Sequence, residues 1–243
     1  MHFQSHPPPD QQSVSAESNP MRSAPADKER YLIEIVRAFL QPWPENRTIN
    51  IVCHGHSVPA GYFTTPVIDS LNAYPHLLYV GLKERFVNAS LNVIVTAIGG
   101  EHSEDGAARF SDEVLGHRPD VVTIDYALND RTLGLARAEV AWRRMIEATL
   151  AHDSKVILLT PTHDLLTVRR GEPHWAIELP KHAAQVRRLA TEYGVGLADS
   201  DAAFQRYLKQ GGELSDLLSH INHPNRAGHQ LVVRELLRWF PAQ

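Results

Sequence analysis

Short apolar runs alternate with longer segments whose apolar residues recur at helical spacing, from about residue 28 onward. Runs rich in β-branched residues predict buried parallel strands at 49–53, 91–96, 120–126, 155–160 and 195–198. Helical spacing predicts a first helix that starts at Lys28 and ends before Pro42, and further helices at 66–88, 104–116, 134–152, 174–193, 200–210 and 226–239. This alternation predicts right-handed βαβ crossovers and a doubly wound α/β sheet.

The first 26 residues differ from the rest of the chain, because they are rich in Pro, Ser, Gln and Asn and hold few apolar residues. Such a segment cannot bury enough apolar surface to offset the entropy lost on ordering. We therefore expect residues 1–26 to be a disordered tail and residues 27–243 to form one domain. Residues 161–175 show no clear periodicity, which predicts a loop over the functional face of the sheet.

Composition excludes several classes of protein. The chain has 243 residues and a formal net charge of −4, and no basic stripe is present, which argues against nucleic acid as the main partner. The single cysteine, Cys53, rules out an intrachain disulfide and falls within a predicted strand, so we expect a buried, inert thiol. No apolar run approaches the roughly 20 residues of a membrane span, and the written start shows no apolar signal segment. We expect a cytoplasmic protein with no membrane partner, and the sequence leaves its oligomeric state open.

Polar residues follow three predicted strands, at the edge of the sheet where α/β proteins bind ligands. Ser57 follows the first strand, Gly99-Gly100 the second and Asn129 the third, while His223 lies in the loop before the last helix. A serine becomes a nucleophile when a base such as histidine takes its proton. A backbone N–H or a carboxamide can donate to the developing oxyanion, a contribution of ~3–4 kcal/mol in favourable cases.

Each of these residues also has an ordinary structural interpretation. Ser57 alone is more simply a turn serine, and His223 is one of 14 histidines, most of which must be structural. Asn129 can form an Asx turn with Asp130, and the glycines can form a plain turn. The interpretation as a reactive site therefore depends on the four positions occurring together.

In this order, the four blocks resemble the SGNH, or GDSL, hydrolase superfamily. The match spans roughly residues 48 to 239 and rests on Gly55-His-Ser57 with Ala60-Gly61-Tyr62, Ala97-Ile-Gly-Gly-Glu101, Ala127-Leu-Asn-Asp130, Leu197-Ala-Asp199 and His220-Ile-Asn-His-Pro-Asn-Arg-Ala-Gly-His229. The resemblance implies a three-layer α/β/α, flavodoxin-like fold with a five-stranded parallel sheet. It also implies ester hydrolysis through an acyl-serine intermediate, without a cofactor. In that mechanism Ser57 is the nucleophile, His223 is the general base, and the N–H of Ser57, the N–H of Gly100 and the side chain of Asn129 form the oxyanion hole.

Two positions depart from the family pattern. His56 stands where the family usually has aspartate before the nucleophile, and His220 stands where it usually has aspartate three residues before the catalytic histidine. A carboxylate there would hold the imidazole tautomer and stabilise the imidazolium. Either Ser57 and His223 form a dyad oriented by a backbone carbonyl or by His220, or another acid such as Asp216 or Asp164 reaches the ring, or the site binds without turnover. We favour the dyad, because Asp216 is expected a turn or two away on a short helix.

The same histidines raise a metal-dependent alternative. His54, His56, His220 and His223 supply four imidazoles, a donor type that suits zinc. Against this, the sequence places no acidic ligand with them. A catalytically inactive, ligand-binding relative is the other alternative.

The sequence says least about the substrate. We expect a small or carbohydrate-linked acyl ester, for example an acetyl ester. Tyr62-Phe63 and His163-Asp164 are candidates to line the substrate pocket, and both pairs are equally plausible as packing or turn residues.

Overall fold

Five parallel strands form one sheet in the described part of the chain. A computed structural model describes residues 24–166 and 173–242. The strands are β1 (Thr48–Gly55), β2 (Ser90–Val95), β3 (Val121–Asp125), β4 (Lys155–Leu159) and β5 (Gly196–Ala198), arranged in the order β2-β1-β3-β4-β5. Every strand pair is parallel, and Val52 in β1 aligns with Ile94 in β2 and Val122 in β3. The five-stranded parallel sheet expected from the sequence is confirmed.

Helices cover both faces of the sheet. They are α1 (Ile33–Leu40), α2 (Ser57–Ala60), α3 (Tyr74–Arg85), α4 (Ser103–Glu113), α5 (Asp130–Leu133), α6 (Leu135–Ala151), α7 (Pro173–Tyr193), α8 (Ser200–Lys209) and α9 (Arg226–Leu237). Short 3₁₀ turns occur at Ser70–Asn72, Leu115–His117 and Leu214–Leu217. No helix of the described residues is long and apolar enough to cross a bilayer.

Two apolar cores arise because successive strand residues point to opposite faces. Ile51 and Cys53 of β1 pack with α1, α3 and α9 on one face, whereas Val52 packs with α4, α6 and α7 on the other. This is the three-layer α/β/α arrangement. Cys53 is fully buried as expected, and burial raises the pKa of its thiol to about 12.

The first half of the predicted helix 66–88 is wrong. Helix α3 begins only at Tyr74, and the preceding segment contains a backbone bridge between Tyr62 and Ile68 and the 3₁₀ turn Ser70–Asn72. The side chain of Asp69 caps that turn by accepting from the N–H of Asn72. Proline is favoured in the first turn of a helix, because its missing N–H has no partner there anyway. Pro75 therefore marked the true start of α3.

Two other predictions lie partly outside the described residues. Residues 1–23 of the predicted tail lie outside the described part of the chain, so the tail and the boundary at residue 27 stay predictions. Within the described part, Ala26 already donates its N–H to the carbonyl of Val195 and packs on the core. In the predicted loop 161–175, residues 167–172 lie outside, and α7 begins at Pro173.

Candidate active site

The turn after β1 places Ser57 at the carboxyl edge of the sheet. Strand β1 ends at Gly55, where an added Cβ would lie 2.4 Å from the carbonyl oxygen of Asp125, so no side chain fits. The N–H of His56 donates to that same carbonyl at 3.2 Å. Ser57 is then the first residue of the short helix α2, which Gly61 ends with a φ of +88°. Ser57 is 6% exposed, so its hydroxyl lies in a sheltered position.

A separate loop carries His223 to the same edge. The loop joins the 3₁₀ turn Leu214–Leu217 to α9 and is closed by a backbone bridge between Leu218 and Pro224. Asn225 caps α9, since its side-chain oxygen accepts from two backbone N–H groups at the helix start. The last helix therefore starts where the sequence predicted, and its cap helps to hold the preceding imidazole in place.

The structure brings Ser57 and His223 together. The Nε2 atom of His223 lies 3.1 Å from the Oγ of Ser57, and its Nδ1 lies 2.9 Å from the carbonyl oxygen of Phe63. A carbonyl can only accept, so Nδ1 carries the proton and Nε2 is free to accept from the serine hydroxyl. This tautomer is the one that a general base requires.

Burial is the main influence on the pKa of His223. It lowers that pKa, and the hydrogen bond to the Phe63 carbonyl partly opposes the shift. Positive charge on His56 or His220 would lower it further. The imidazole of His223 is therefore neutral at neutral pH.

The other candidate orienting groups have different partners. The ring of His220 lies 6.1 Å from the ring of His223, centroid to centroid, and the Nδ1 of His223 is already bonded to a backbone carbonyl. Asp216 accepts from the hydroxyl of Tyr207 at 3.0 Å, and Asp164 pairs with Arg131. The ring of His223 is thus oriented by a backbone carbonyl rather than by a carboxylate. The sequence could not identify Phe63 in this role, because every residue carries such a carbonyl.

Asn129 and Gly100 lie on adjoining loops. The side-chain N–H of Asn129 donates to the carbonyl of Glu101 at 2.8 Å, which ties the end of β3 to the glycine loop. Gly100 has a φ of +87°, a conformation that favours glycine, and an added Cβ there would meet no atom within 4 Å. The side chain of Asn129 does not cap the turn that follows it, and the buried Asp130 accepts from the backbone of Ser103 and the indole of Trp142.

The four histidines of the metal alternative do not share one site. His54 bonds through Nδ1 to Thr96 at 2.9 Å and through Nε2 to the hydroxyl of Tyr126 at 3.0 Å. Burial lowers its pKa to about 3, and the charge of Arg109 adds to this shift. Among the residues that the structure describes, no group of three or more histidine, cysteine or acidic side chains is placed to hold a metal ion. The arrangement therefore offers no support for the zinc alternative.

Of the candidate pocket residues, Tyr62 is the one whose side chain lies beside the Ser57–His223 contact. Its ring is 5.9 Å from the ring of His223, and it covers Gly99 so closely that an added Cβ there would lie 2.7 Å from a ring atom. The ring of Phe63 instead stacks on His229 at 5.4 Å. The Nε2 of His163 is hydrogen-bonded to Asp201 at 2.8 Å and Asp164 pairs with Arg131, so both side chains have partners of their own.

Comparisons with known proteins agree on one family and one fold. The profile of the GDSL-like Lipase/Acylhydrolase family matches residues 53–231. An acetylxylan esterase of Geobacillus stearothermophilus is 24% identical over 172 residues, which cover 65% of this chain and 77% of that protein.

Solved structures show the same architecture. Axe2, an acetylxylan esterase from Geobacillus stearothermophilus, matches with a TM-score of 0.69 at 22% identity, covering 80% of this chain and 95% of that one. LAE5, an alpha/beta hydrolase enzyme from the metagenome of Lake Arreo, Spain, matches with a TM-score of 0.67 at 24% identity, covering 84% and 97%. Structures of Axe2 described as catalytic mutants replace a serine, an aspartate and a histidine.

Proposed function

Because this chain belongs to the GDSL-like lipase/acylhydrolase family and is a carboxylic ester hydrolase, we propose that Ser57 and His223 carry out its chemistry. The observation that carries the proposal is the 3.1 Å contact between Ser57 Oγ and His223 Nε2, with the opposite ring nitrogen bonded to the carbonyl of Phe63. This arrangement leaves the base with its lone pair directed at the nucleophile. The carbonyl of Phe63 thus orients the base in a chain that has His220 where the family usually has an aspartate.

The proposed reaction has two steps. The Nε2 of His223 takes the hydroxyl proton of Ser57 as the oxygen attacks the acyl carbon, and the carbonyl π electrons move to the oxyanion. His223 then donates this proton to the departing alkoxide, which leaves an acyl-serine. In the second step His223 takes a proton from water as the water oxygen attacks the acyl carbon. The bond between that carbon and the Oγ of Ser57 then breaks, the carboxylic acid leaves, and His223 returns the proton to Ser57.

Three donors are proposed for the oxyanion: the N–H of Ser57, the N–H of Gly100 and the second side-chain N–H of Asn129. The bond from Asn129 to the carbonyl of Glu101 supports this set, because it fixes the carboxamide beside the loop that carries Gly100. It uses one of the two N–H groups of the carboxamide and leaves the other available. The open space in front of Gly100 leaves room for a substrate.

For the substrate we propose a small or carbohydrate-linked acyl ester, with acetyl as the acyl group. The acetylxylan esterases among the relatives support this class. Tyr62 supports it as well, because an aromatic ring packed between His223 and Gly99 limits the space beside the nucleophile.

Active-site labelling and ester turnover test the proposal together. A fluorophosphonate probe followed by peptide mapping should modify Ser57, and Ser57→Ala should abolish the labelling. With p-nitrophenyl acetate, p-nitrophenyl butyrate and acetylated xylo-oligosaccharide, Ser57→Ala and His223→Ala should each lower kcat by roughly 10⁴-fold or more. Ser111→Ala is the matched control, since this serine is exposed on α4 and should keep full activity.

The results also separate the alternatives. Because the Nδ1 of His223 is bonded to a backbone carbonyl, His220→Ala should keep kcat within a few-fold of the wild type. Labelling at another serine, or wild-type turnover no higher than that of Ser57→Ala on every ester, would contradict the proposal. Stoichiometric zinc in untagged protein, lost together with activity on chelation, would favour the metal alternative.

A further inference from the structure

The nucleophile candidate lies between two imidazoles. Besides its contact with His223, the Oγ of Ser57 lies 3.5 Å from the Nδ1 of His56. That Nδ1 also accepts the N–H of Val58 at 3.2 Å, so it carries a lone pair and the proton of the ring is on Nε2. His56 is 1% exposed, and the proposed reaction gives it no role.

The protonated nitrogen of His56 faces a buried carboxylate. The Nε2 of His56 is buried without a hydrogen bond and lies 3.5 Å from the Oδ1 of Asp125, which is 3% exposed. Among the described residues, no lysine or arginine forms an ion pair with Asp125. A buried carboxylate and an unpaired buried N–H are each costly, and bringing them together lowers both costs.

The buried hydroxyl of Tyr74 lies near Asp125. Burial raises the pKa of this hydroxyl, and the neighbouring Asp125 raises it further. The backbones of the pair are also linked, because the N–H of His56 donates to the carbonyl of Asp125. The two residues therefore form one rigid unit where β1 and β3 end.

We propose that Asp125 and His56 form a positioning pair for the nucleophile, in which Asp125 holds the ring proton on Nε2, so that Nδ1 presents no N–H to the Oγ of Ser57 and the hydroxyl proton stays directed at the Nε2 of His223. The inference rests on the proposed function, in which Ser57 is the nucleophile. The carbonyl of Phe63 orients the base, and the His56–Asp125 pair orients the nucleophile from the other side. A chain with histidine at position 220 thus uses a carboxylate elsewhere in its active site.

The test must separate this role from simple capping of α2. His56→Asn keeps an oxygen that can accept the N–H of Val58, because asparagine is among the best N-cap residues, but it lacks the nitrogen that faces Asp125. A small misplacement of a reacting group can cost about 100-fold in rate. We therefore expect kcat on p-nitrophenyl acetate to fall roughly 10- to 100-fold, with KM within twofold and the melting temperature retained.

Asp125→Asn removes the charge and offers an N–H to the Nε2 of His56, which favours the wrong tautomer. We expect a similar fall in kcat, and no further fall when this change is combined with His56→Asn, because both break one unit. Ser111→Ala again serves as the control. Wild-type kcat in both single variants, or multiplicative losses in the double variant, would overturn the inference.

A measurement on the wild-type protein covers the case in which a variant does not fold. Long-range ¹H–¹⁵N correlation of the assigned imidazoles at pH 8 should show His56 protonated at Nε2, with that proton shifted downfield by a carboxylate acceptor. Protonation at Nδ1, or an Nε2 proton without such an acceptor, would overturn the inference. If Ser57→Ala is inactive while both pair variants are fully active, the proposed function stands and the pair alone fails. If the wild type hydrolyses no ester, both fail.

Discussion

Stability should fall in mild acid because several histidines are buried in their neutral form. His229 is a clear case, since it is fully buried and its Nδ1 accepts the N–H of Tyr74 at 3.1 Å. Burial lowers its pKa to about 3, with a smaller contribution from charge on His223. In the unfolded chain the same ring has a pKa of about 6.5. Below that pH the unfolded state therefore binds a proton that the folded state does not bind, so acid favours unfolding.

The size of the effect follows from linkage. The contribution of His229 is fully present above about pH 6.5 and is lost progressively as the pH falls toward 3. One pKa unit corresponds to about 1.4 kcal/mol, so from pH 8 to pH 5 the loss is about 2 kcal/mol for this one residue. Burial also lowers the pKa of His54 to about 3 and that of His182 to about 4, so these two act in the same direction.

Urea unfolding at fixed ionic strength, at pH 8, 7, 6 and 5, measures this effect for wild type and His229→Asn. The asparagine retains an oxygen for the N–H of Tyr74 and cannot titrate. The packing lost in the variant lowers the free energy of unfolding by the same amount at every pH. The loss of the titrating ring instead changes how steeply that free energy depends on pH. The free energy of unfolding of the variant should therefore fall about 2 kcal/mol less than that of the wild type between pH 8 and pH 5. The reasoning would be refuted if the free energies of unfolding of wild type and His229→Asn changed in parallel with pH. It would also be refuted if the stability of the wild type stayed constant or rose toward pH 5.

Three further predictions concern activity and packing. Because burial lowers the pKa of His223, kcat/KM should rise with pH around a midpoint below 6.5, and a midpoint at or above 6.5 would contradict the assignment of the base. Gly55→Ala should destabilise by at least about 2 kcal/mol in thermal unfolding, because its Cβ would lie 2.4 Å from a backbone oxygen, whereas Gly116→Ala has open space and should change stability little. Arg131→Met leaves the buried carboxylate of Asp164 unpaired and should cost about 3–5 kcal/mol, and adding Asp164→Asn should recover part of that loss in urea unfolding.

Local pattern was sufficient for most of the architecture. The strands are short and β-branched, and the residues of β1 alternate between the two cores. Apolar periodicity therefore located every strand end within two residues. Periodicity failed between residues 66 and 73. Apolar residues there occur near helical spacing, but a side-chain cap from Asp69 and a bridge from Tyr62 to Ile68 form an extended and turned segment instead. Such contacts are not visible as a repeat.

By itself, the sequence was enough to predict the residues for which we propose a chemical role and to place them at one edge of a parallel sheet, because strand ends and turn residues leave local patterns. Only the tertiary structure decided how those residues are connected. It brought the imidazole of His223 to Ser57 across 166 positions, chose the carbonyl of Phe63 rather than His220 to orient that ring, and placed Asp125 behind His56. These contacts depend on distances between strands and loops that are far apart in the chain. Every residue also carries a backbone carbonyl, so no local sequence pattern can show which carbonyl will orient the ring.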